Sequence, residues 1–182
     1  SQGIRCLLSE DINDARRYAS NLEEFNIKRR EEQTRMQDEA LEIVKSQPID
    51  ESQFAIVLFD DTWHEGVVGI VAGKLKETYQ CPCAVFAKSD KVLKGSIRSI
   101  PDVHIKDLLD LVDRNNPDLI EKFGGHAMAA GLSITPENFE EFKEAFTGAI
   151  TEHLEGKKPI IELLTDGELD ASEITLNNAE LL

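Results

Sequence analysis

No apolar run in this 182-residue sequence approaches the length of a bilayer span, and no secretory pattern opens it. Only three cysteines are present, Cys6, Cys81 and Cys83, too few and too oddly numbered for a disulfide framework. These absences predict a cytoplasmic protein in a reducing compartment. Cys81-Pro82-Cys83 has the look of half a zinc site. Tetrahedral zinc needs four ligands and no second pair exists, so the segment reads as a strand entering a core. Internal repeats and low-complexity tracts are lacking too. With 41% hydrophobic and 30% charged residues the composition is that of a globular chain, enough for one domain with extensions. The opening Ser1-Gln2 reads as a processed or tagged start.

Basic residues are also scarce: 20 against 35 acidic, a net charge of −15. Taken whole, that opposes a polyanionic partner, since phosphate binding is largely electrostatic. The charge is unevenly spread, however. Residues 135–182 hold 12 acids and 3 bases, whereas between Lys74 and Arg98 six bases face two acids. Lys74, Lys76, Lys88, Lys91, Lys94 and Arg98 thus allow a local basic surface, or simply a solvated one.

Ser9 as N-cap, followed by Glu10 and Asp11, predicts a helix running to about Lys45, stopped by Gln47-Pro48. Its stripe is apolar at Ile12, Ala15, Ala19 and Leu22, polar at Asn26, Arg29 and Gln33, and apolar again at Met36, Ala40 and Ile43. A helix with a polar waist reads as a bridge between two packed bodies, with a surface helix or coiled-coil seam as the plainer alternative. Phe54–Phe59 reads as a buried strand and Val67 to Tyr79 as a helix. Strands follow at Cys83–Ala87 and Val92–Ser96, joined by a hairpin turn at Lys88–Lys91. Ile105–Arg114 is helical, with Ile105, Leu108, Leu109 and Val112 on one face. A short helix to Lys122 is expected after Asn115-Asn116-Pro117. Ala127–Ile134 reads as a strand, and Pro136 opens a helix to about Leu154.

Gly156–Pro159 reads as a linker, followed by a strand near Ile160–Leu164, a turn at Asp166-Gly167 and a final amphipathic piece. The sequence therefore divides into a bridging helix (1–47), an α/β domain with a mixed β-sheet flanked by helices (48–156), and a linker with the start of a truncated C-terminal domain (157–182).

Three segments carry the chemistry. In Gly124-Gly125-His126-Ala127-Met128-Ala129-Ala130-Gly131, paired glycines permit positive φ and close approach of a ligand, and His126 projects beside backbone N–H groups. A tight turn into a small-residue strand would use the same residues. In Gly95-Ser96-Ile97-Arg98-Ser99, Ser96 and Arg98 share a strand face, where a hydroxyl and a planar guanidinium clamp a phosphate. A surface strand with one salt-bridged arginine is the plainer reading. In Trp63-His64-Glu65-Gly66, a strand meets a helix start, the crevice position of α/β folds. Trp63 there either stacks on a base or plugs the core, and His64 meets phosphate or a neighbouring lobe. The pair His64-Glu65 lacks the second histidine of a zinc-protease helix. His104 and His153 are ordinary.

These three motifs, in this order, resemble the DHH-associated domain of the DHH-family phosphoesterases, in particular its single-strand-specific DNA exonucleases. The resemblance implies the substrate-binding lobe of a 5′-to-3′ exonuclease that grips single-stranded DNA near its 5′-phosphate end. Gly95, Ser96, Arg98, Ser99, Trp63, His64, Gly124, Gly125 and His126 would form that grip, and His126 would assist near the metal centre. The family pattern carries a second glycine where this sequence has Ile97, which removes close backbone contact at 97. The Asp-His-His triplet of the catalytic lobe is absent, and Asp60-Asp61 is the one aspartate pair. The Mn²⁺ or Mg²⁺ ions would therefore sit in an N-terminal lobe outside these residues, and residues 1–182 alone are expected neither to bind them nor to hydrolyse DNA. The other partners implied are that lobe and DNA-repair proteins; no membrane is. Two alternatives stay open: the corresponding lobe of a nano-RNA or cyclic-dinucleotide phosphodiesterase, and a non-catalytic protein-interaction domain with an acidic tail.

Overall fold

Asp11, rather than Ser9, starts the long helix. In the computed structural model, which describes residues 1–46, 54–157 and 167–180, Asp11 Oδ1 accepts from the backbone N–H groups of Asn13 (2.7 Å) and Asp14 (3.1 Å). Ser9 instead donates to Asp11 O. A short helix α1 (Gln2–Leu7) precedes, and α2 spans Ile12–Ser46. Buried residues on α2 fall only at its C-terminal end, at Met36, Ala40 and Val44. Near its other end Ile12 and Phe25 are more than half exposed. The expected break at Gln47-Pro48 and strand at 160–164 lie outside the described residues.

The remaining elements alternate strand and helix: β1 (Ile56–Asp60), α3 (Val68–Tyr79), β2 (Cys83–Ser89), β3 (Val92–Arg98), α4 (Ile105–Asn115), β4 (Lys122–Gly125), β5 (Ala129–Ile134), a 3₁₀ turn (Pro136–Asn138) leading into α5 (Phe139–His153), and a last short α6 (Leu176–Ala179). The strands form one mixed sheet in the order β1-β2-β3-β5-β4. β1 and β2 run parallel, joined through α3, and the other pairs are antiparallel. The β2–β3 hairpin turns at Asp90, which takes a left-handed φ of 56°. No helix among the described residues is long and apolar enough to cross a membrane.

Alternation along the strands divides the core in two. One face carries Val57, Ala84, Phe86, Leu93, Ile97, Leu132 and Ile134 and packs against α4 and α5, where Phe86, Phe142 and Phe146 stand ring against ring. The other carries Ile56, Leu58, Cys83, Val85 and Ala87 and packs against α3 and the end of α2. Cys83 is part of that core. Its Sγ donates to Cys81 O, and burial pushes its thiol pKa well up.

The short helix expected before Lys122 does not form. Asp118 takes φ 67°, and Asn138 Nδ2 donates to the carbonyls of Asp118 and Leu119, pinning an open turn. That turn inserts Leu119 and Ile120 into the core and releases Lys122 directly into β4.

Candidate functional site

The second face of the sheet is covered only in part. Its apolar partners from α2 and α3 lie over β1 and β2, while the same face of β3, β5 and β4 carries Lys94, Ser96, Arg98, Gly131, Ser133, Lys122 and Gly124. The strand register aligns these residues in rows. Lys94 pairs with Ser133, which pairs with Lys122; Ser96 pairs with Gly131, which pairs with Gly124; Arg98 pairs with Ala129. A trough of about 560 Å³ opens over the first two rows, with Gly66, Val68 and Gly69 at the start of α3 as its wall.

The two floor glycines leave bare backbone. A Cβ at Gly124 would meet nothing within 4 Å, and one at Gly131 would meet only Gly95 O at 3.8 Å. Above this row, Arg98 Nη1 donates to Ser96 Oγ (3.0 Å) and to Ile97 O (3.0 Å). No carboxylate among the described residues forms an ion pair with Arg98. The N-cap of α3, Val67, supplies no side-chain cap, so of the first-turn N–H groups Ile70 N–H turns back to Val67 O while Val68 and Gly69 gain no side-chain acceptor from the cap. Lys94 does have a partner, Glu65 at 2.7 Å. Hydrogen bonds from Lys94 and then Ser89 hold the Glu65 carboxyl below the usual range. Cations, a hydroxyl, uncapped helix N–H groups and exposed strand backbone together make a surface suited to phosphate and sugar.

Of the residues expected at the site, Gly95, Ser96 and Gly124 line the trough, and Arg98 borders it through Ser96. Three expectations are corrected, at Trp63, at Ser99 and at the Gly124-Gly125 pair. Trp63 is 3% exposed, and its indole Nε1 donates to Glu39 Oε2 (2.9 Å) on α2, so no ring face is available for stacking. Ser99 is 1% exposed and donates to Val103 O (2.7 Å), which closes the turn into α4. Gly95 serves the core as well as the trough: a Cβ there would lie 2.4 Å from Phe86 Cε1. The paired glycines are not a left-handed loop but the end of β4, and neither has positive φ. At Gly125 a Cβ would lie 2.4 Å from Ala129 O, so the hairpin demands glycine there on steric grounds.

His64 is exposed at the loop before α3, and its Nδ1 accepts from Gly66 N (2.9 Å). His126 is exposed in the β4–β5 turn, where its N–H donates to Ala129 O, the residue opposite Arg98. Sequence reasoning did not assign Gly69, Lys122, Gly131 or Ser133 to the site, and counted Lys94 only within a general basic stretch. Period-two alternation in β3 marks Lys94 with Ser96 and Arg98. Lys122 and Ser133 join them only through the β3-β5-β4 register, which no local pattern encodes.

Residues 51–152 match the model of the DHHA1 domain. Over its whole length the chain is 41% identical to the single-stranded-DNA-specific exonuclease RecJ of Dickeya dadantii and 38% identical to that of Escherichia coli, covering 32% of each. It thus spans about a third of the length of these curated relatives. The crystal structure of RecJ in complex with Mg²⁺ from Thermus thermophilus superposes with a TM-score of 0.71 at 28% identity, over 89% of this chain and 24% of that one. A crystal structure of exonuclease RecJ bound to manganese gives 0.69 at 28% identity, over 82% and 36%. By sequence and by fold, this chain belongs to the DHHA1 domain family and corresponds to the DHHA1 region of RecJ-like proteins.

Proposed function

We propose that the open half of the sheet is the substrate-binding lobe of a single-strand-specific 5′-to-3′ exonuclease, and that it grips DNA near the 5′-phosphate end. The observation that carries this reading is the Ser96–Arg98 pair. A guanidinium oriented by a neighbouring hydroxyl, free of any carboxylate among the described residues, borders a trough floored by glycine backbone. The planar fork offers a phosphate two parallel charge-assisted hydrogen bonds. The bare Gly124–Gly131 floor accommodates the attached sugar, and the exposed His126 supplies a donor from the turn that flanks the Arg98 row.

This local arrangement offsets the chain's net charge of −15, much of which lies in residues 135–182. The RecJ crystal structures are described with Mg²⁺ or Mn²⁺, ions suited to phosphodiester hydrolysis. Among the described residues no three His, Cys, Asp or Glu side chains are grouped to hold such an ion. In this reading the chain supplies binding and orientation, and hydrolysis belongs to the rest of a longer RecJ-like protein, of whose length the chain spans about a third.

The test is a salt titration of 5′-phosphorylated oligothymidylate binding by fluorescence anisotropy, with Arg98→Ala and His126→Ala beside the parent chain. Salt-sensitive binding that Arg98→Ala abolishes supports the reading. Binding unaffected by Arg98→Ala, or a dinucleotide competing as well as the long strand, overturns it.

A further inference from the structure

Among the described residues Glu65 is the one acidic side chain lining the trough. Its Oε2 lies 2.7 Å from Lys94 Nζ, with the two side chains 42% and 46% exposed. The loop that carries it is anchored on both sides. Asp60 Oδ1 accepts from Thr62 N–H, the neighbouring Trp63 is held by Glu39 on α2, and Gly66 N donates back to His64 Nδ1. Glu65 thus comes from a fixed turn rather than a loose loop.

The cations of the trough are consequently unequal. Lys94 is neutralised by Glu65, while Lys122, two strands away in the same row, and Arg98, at the opposite end, have no carboxylate partner among the described residues. Building on the trough as a nucleic-acid site, we propose that Glu65 withholds Lys94 from phosphate and closes that end of the trough to a continuing nucleic-acid backbone. Tight contact is then confined to the Ser96–Arg98 end. A phosphate reaching Lys94 must displace a close partner and then lie beside the released carboxylate, a like-charge contact at short range. A strand running through the trough meets that repulsion, and a strand whose terminal phosphate stops at Arg98 does not. Glu65 therefore acts as a specificity residue for strand ends.

The test compares the parent chain with Glu65→Gln, Lys94→Gln and the double variant, using 5′-phosphorylated oligothymidylate anisotropy across a salt series. Glu65→Gln keeps the side-chain shape while removing the charge, and is expected to tighten binding roughly three- to fivefold. It should also steepen the logarithmic salt dependence by about 0.7, the increment for one added single-strand phosphate contact. Lys94→Gln leaves the Glu65 carboxylate without its cation and should weaken binding, while the double variant should return the salt slope to that of the parent. Glu65→Gln binding no tighter than the parent, or Lys94→Gln binding tighter, overturns the proposal while the trough reading stands. Arg98→Ala binding as well as the parent overturns the trough reading and this proposal with it.

Discussion

Gly69 on α3 and Arg98 on β3 meet closely: a Cβ at 69 would lie 3.0 Å from Arg98 Nη2 and 3.0 Å from Ser96 Oγ, so a methyl group there would make both give by a few tenths of an ångström. Glycine near the start of a helix is a poor choice for the helix alone. Here its absent side chain is what lets the Ser96–Arg98 pair seat against the helix. Gly69→Ala should cost little stability, because alanine favours the helix by up to about 1 kcal/mol and the guanidinium is the mobile end of a long side chain. Oligonucleotide affinity should fall all the same as Arg98 is pushed aside. Thermal melting and anisotropy on the same samples check the split; parallel losses in both would show Gly69 to be purely structural.

Adjacent glycines in β4 should respond in opposite ways. Gly124→Ala adds a methyl to open space, so stability should hold within about 0.5 kcal/mol while the floor is narrowed for a ligand. Gly125→Ala drives a methyl to 2.4 Å from Ala129 O and 2.5 Å from Ala130 Cα, both backbone atoms of the partner strand. That overpacking should cost about 1–3 kcal/mol or more. Urea unfolding of the two variants measures the difference directly, and equal midpoints would contradict it.

Much of this fold is legible because its segments carry unambiguous periods. The apolar run Phe54–Phe59 reads as a buried strand, and Phe54 to Leu58 are buried, while Ile105, Leu108, Leu109 and Val112 share a face in a helix. The failures occur where tertiary contacts overrule local preference. A pair of glycines suggests a loop, yet Gly124 and Gly125 are strand residues whose lack of side chains serves the floor and the hairpin. Trp63 offers an aromatic to a ligand or to the core with equal plausibility, and only the docking of α2 decides for the core. Ser96 and Arg98 were visible from spacing alone. Lys122 and Ser133 were not, since 28 residues separate Lys94 from Lys122 in the sequence and only the sheet order unites them.

The Trp63–Glu39 hydrogen bond ties the long helix to the wall of the trough, and its loss should be measurable. Glu39→Ala leaves a buried indole N–H without its partner and also removes the carboxylate that Arg35 Nη1 grips at 2.9 Å and 3.2 Å. A cost of about 1–3 kcal/mol is expected. Glu39→Gln retains an acceptor for the indole and should recover much of it. Because Trp63 is the sole tryptophan, its emission reports the site without ambiguity. Glu39→Ala should shift that emission toward red in the folded state, and an unshifted spectrum with parent stability would show the bond to contribute nothing.

Acid should loosen the loop on which Trp63 and Glu65 sit, through Asp60. The Thr62 hydroxyl donates to Asp60 Oδ1 at 2.6 Å and the Thr62 N–H at 2.8 Å, and these bonds, the hydroxyl first, hold the Asp60 pKa below its ordinary value. A carboxyl whose pKa is lower folded than unfolded binds its proton more readily in the unfolded chain. Its contribution to stability is therefore present above the unfolded pKa and is lost as pH falls through the folded one. Thr62→Val removes the larger cause at an exposed position where packing changes little. Its deficit relative to the parent chain should be full at neutral pH, begin to shrink as pH drops below about 4, and vanish once Asp60 is protonated in both. Urea unfolding at a series of pH values measures that convergence. A deficit that stays constant down to the lowest pH would assign the effect of Thr62 to packing rather than to the ionised Asp60.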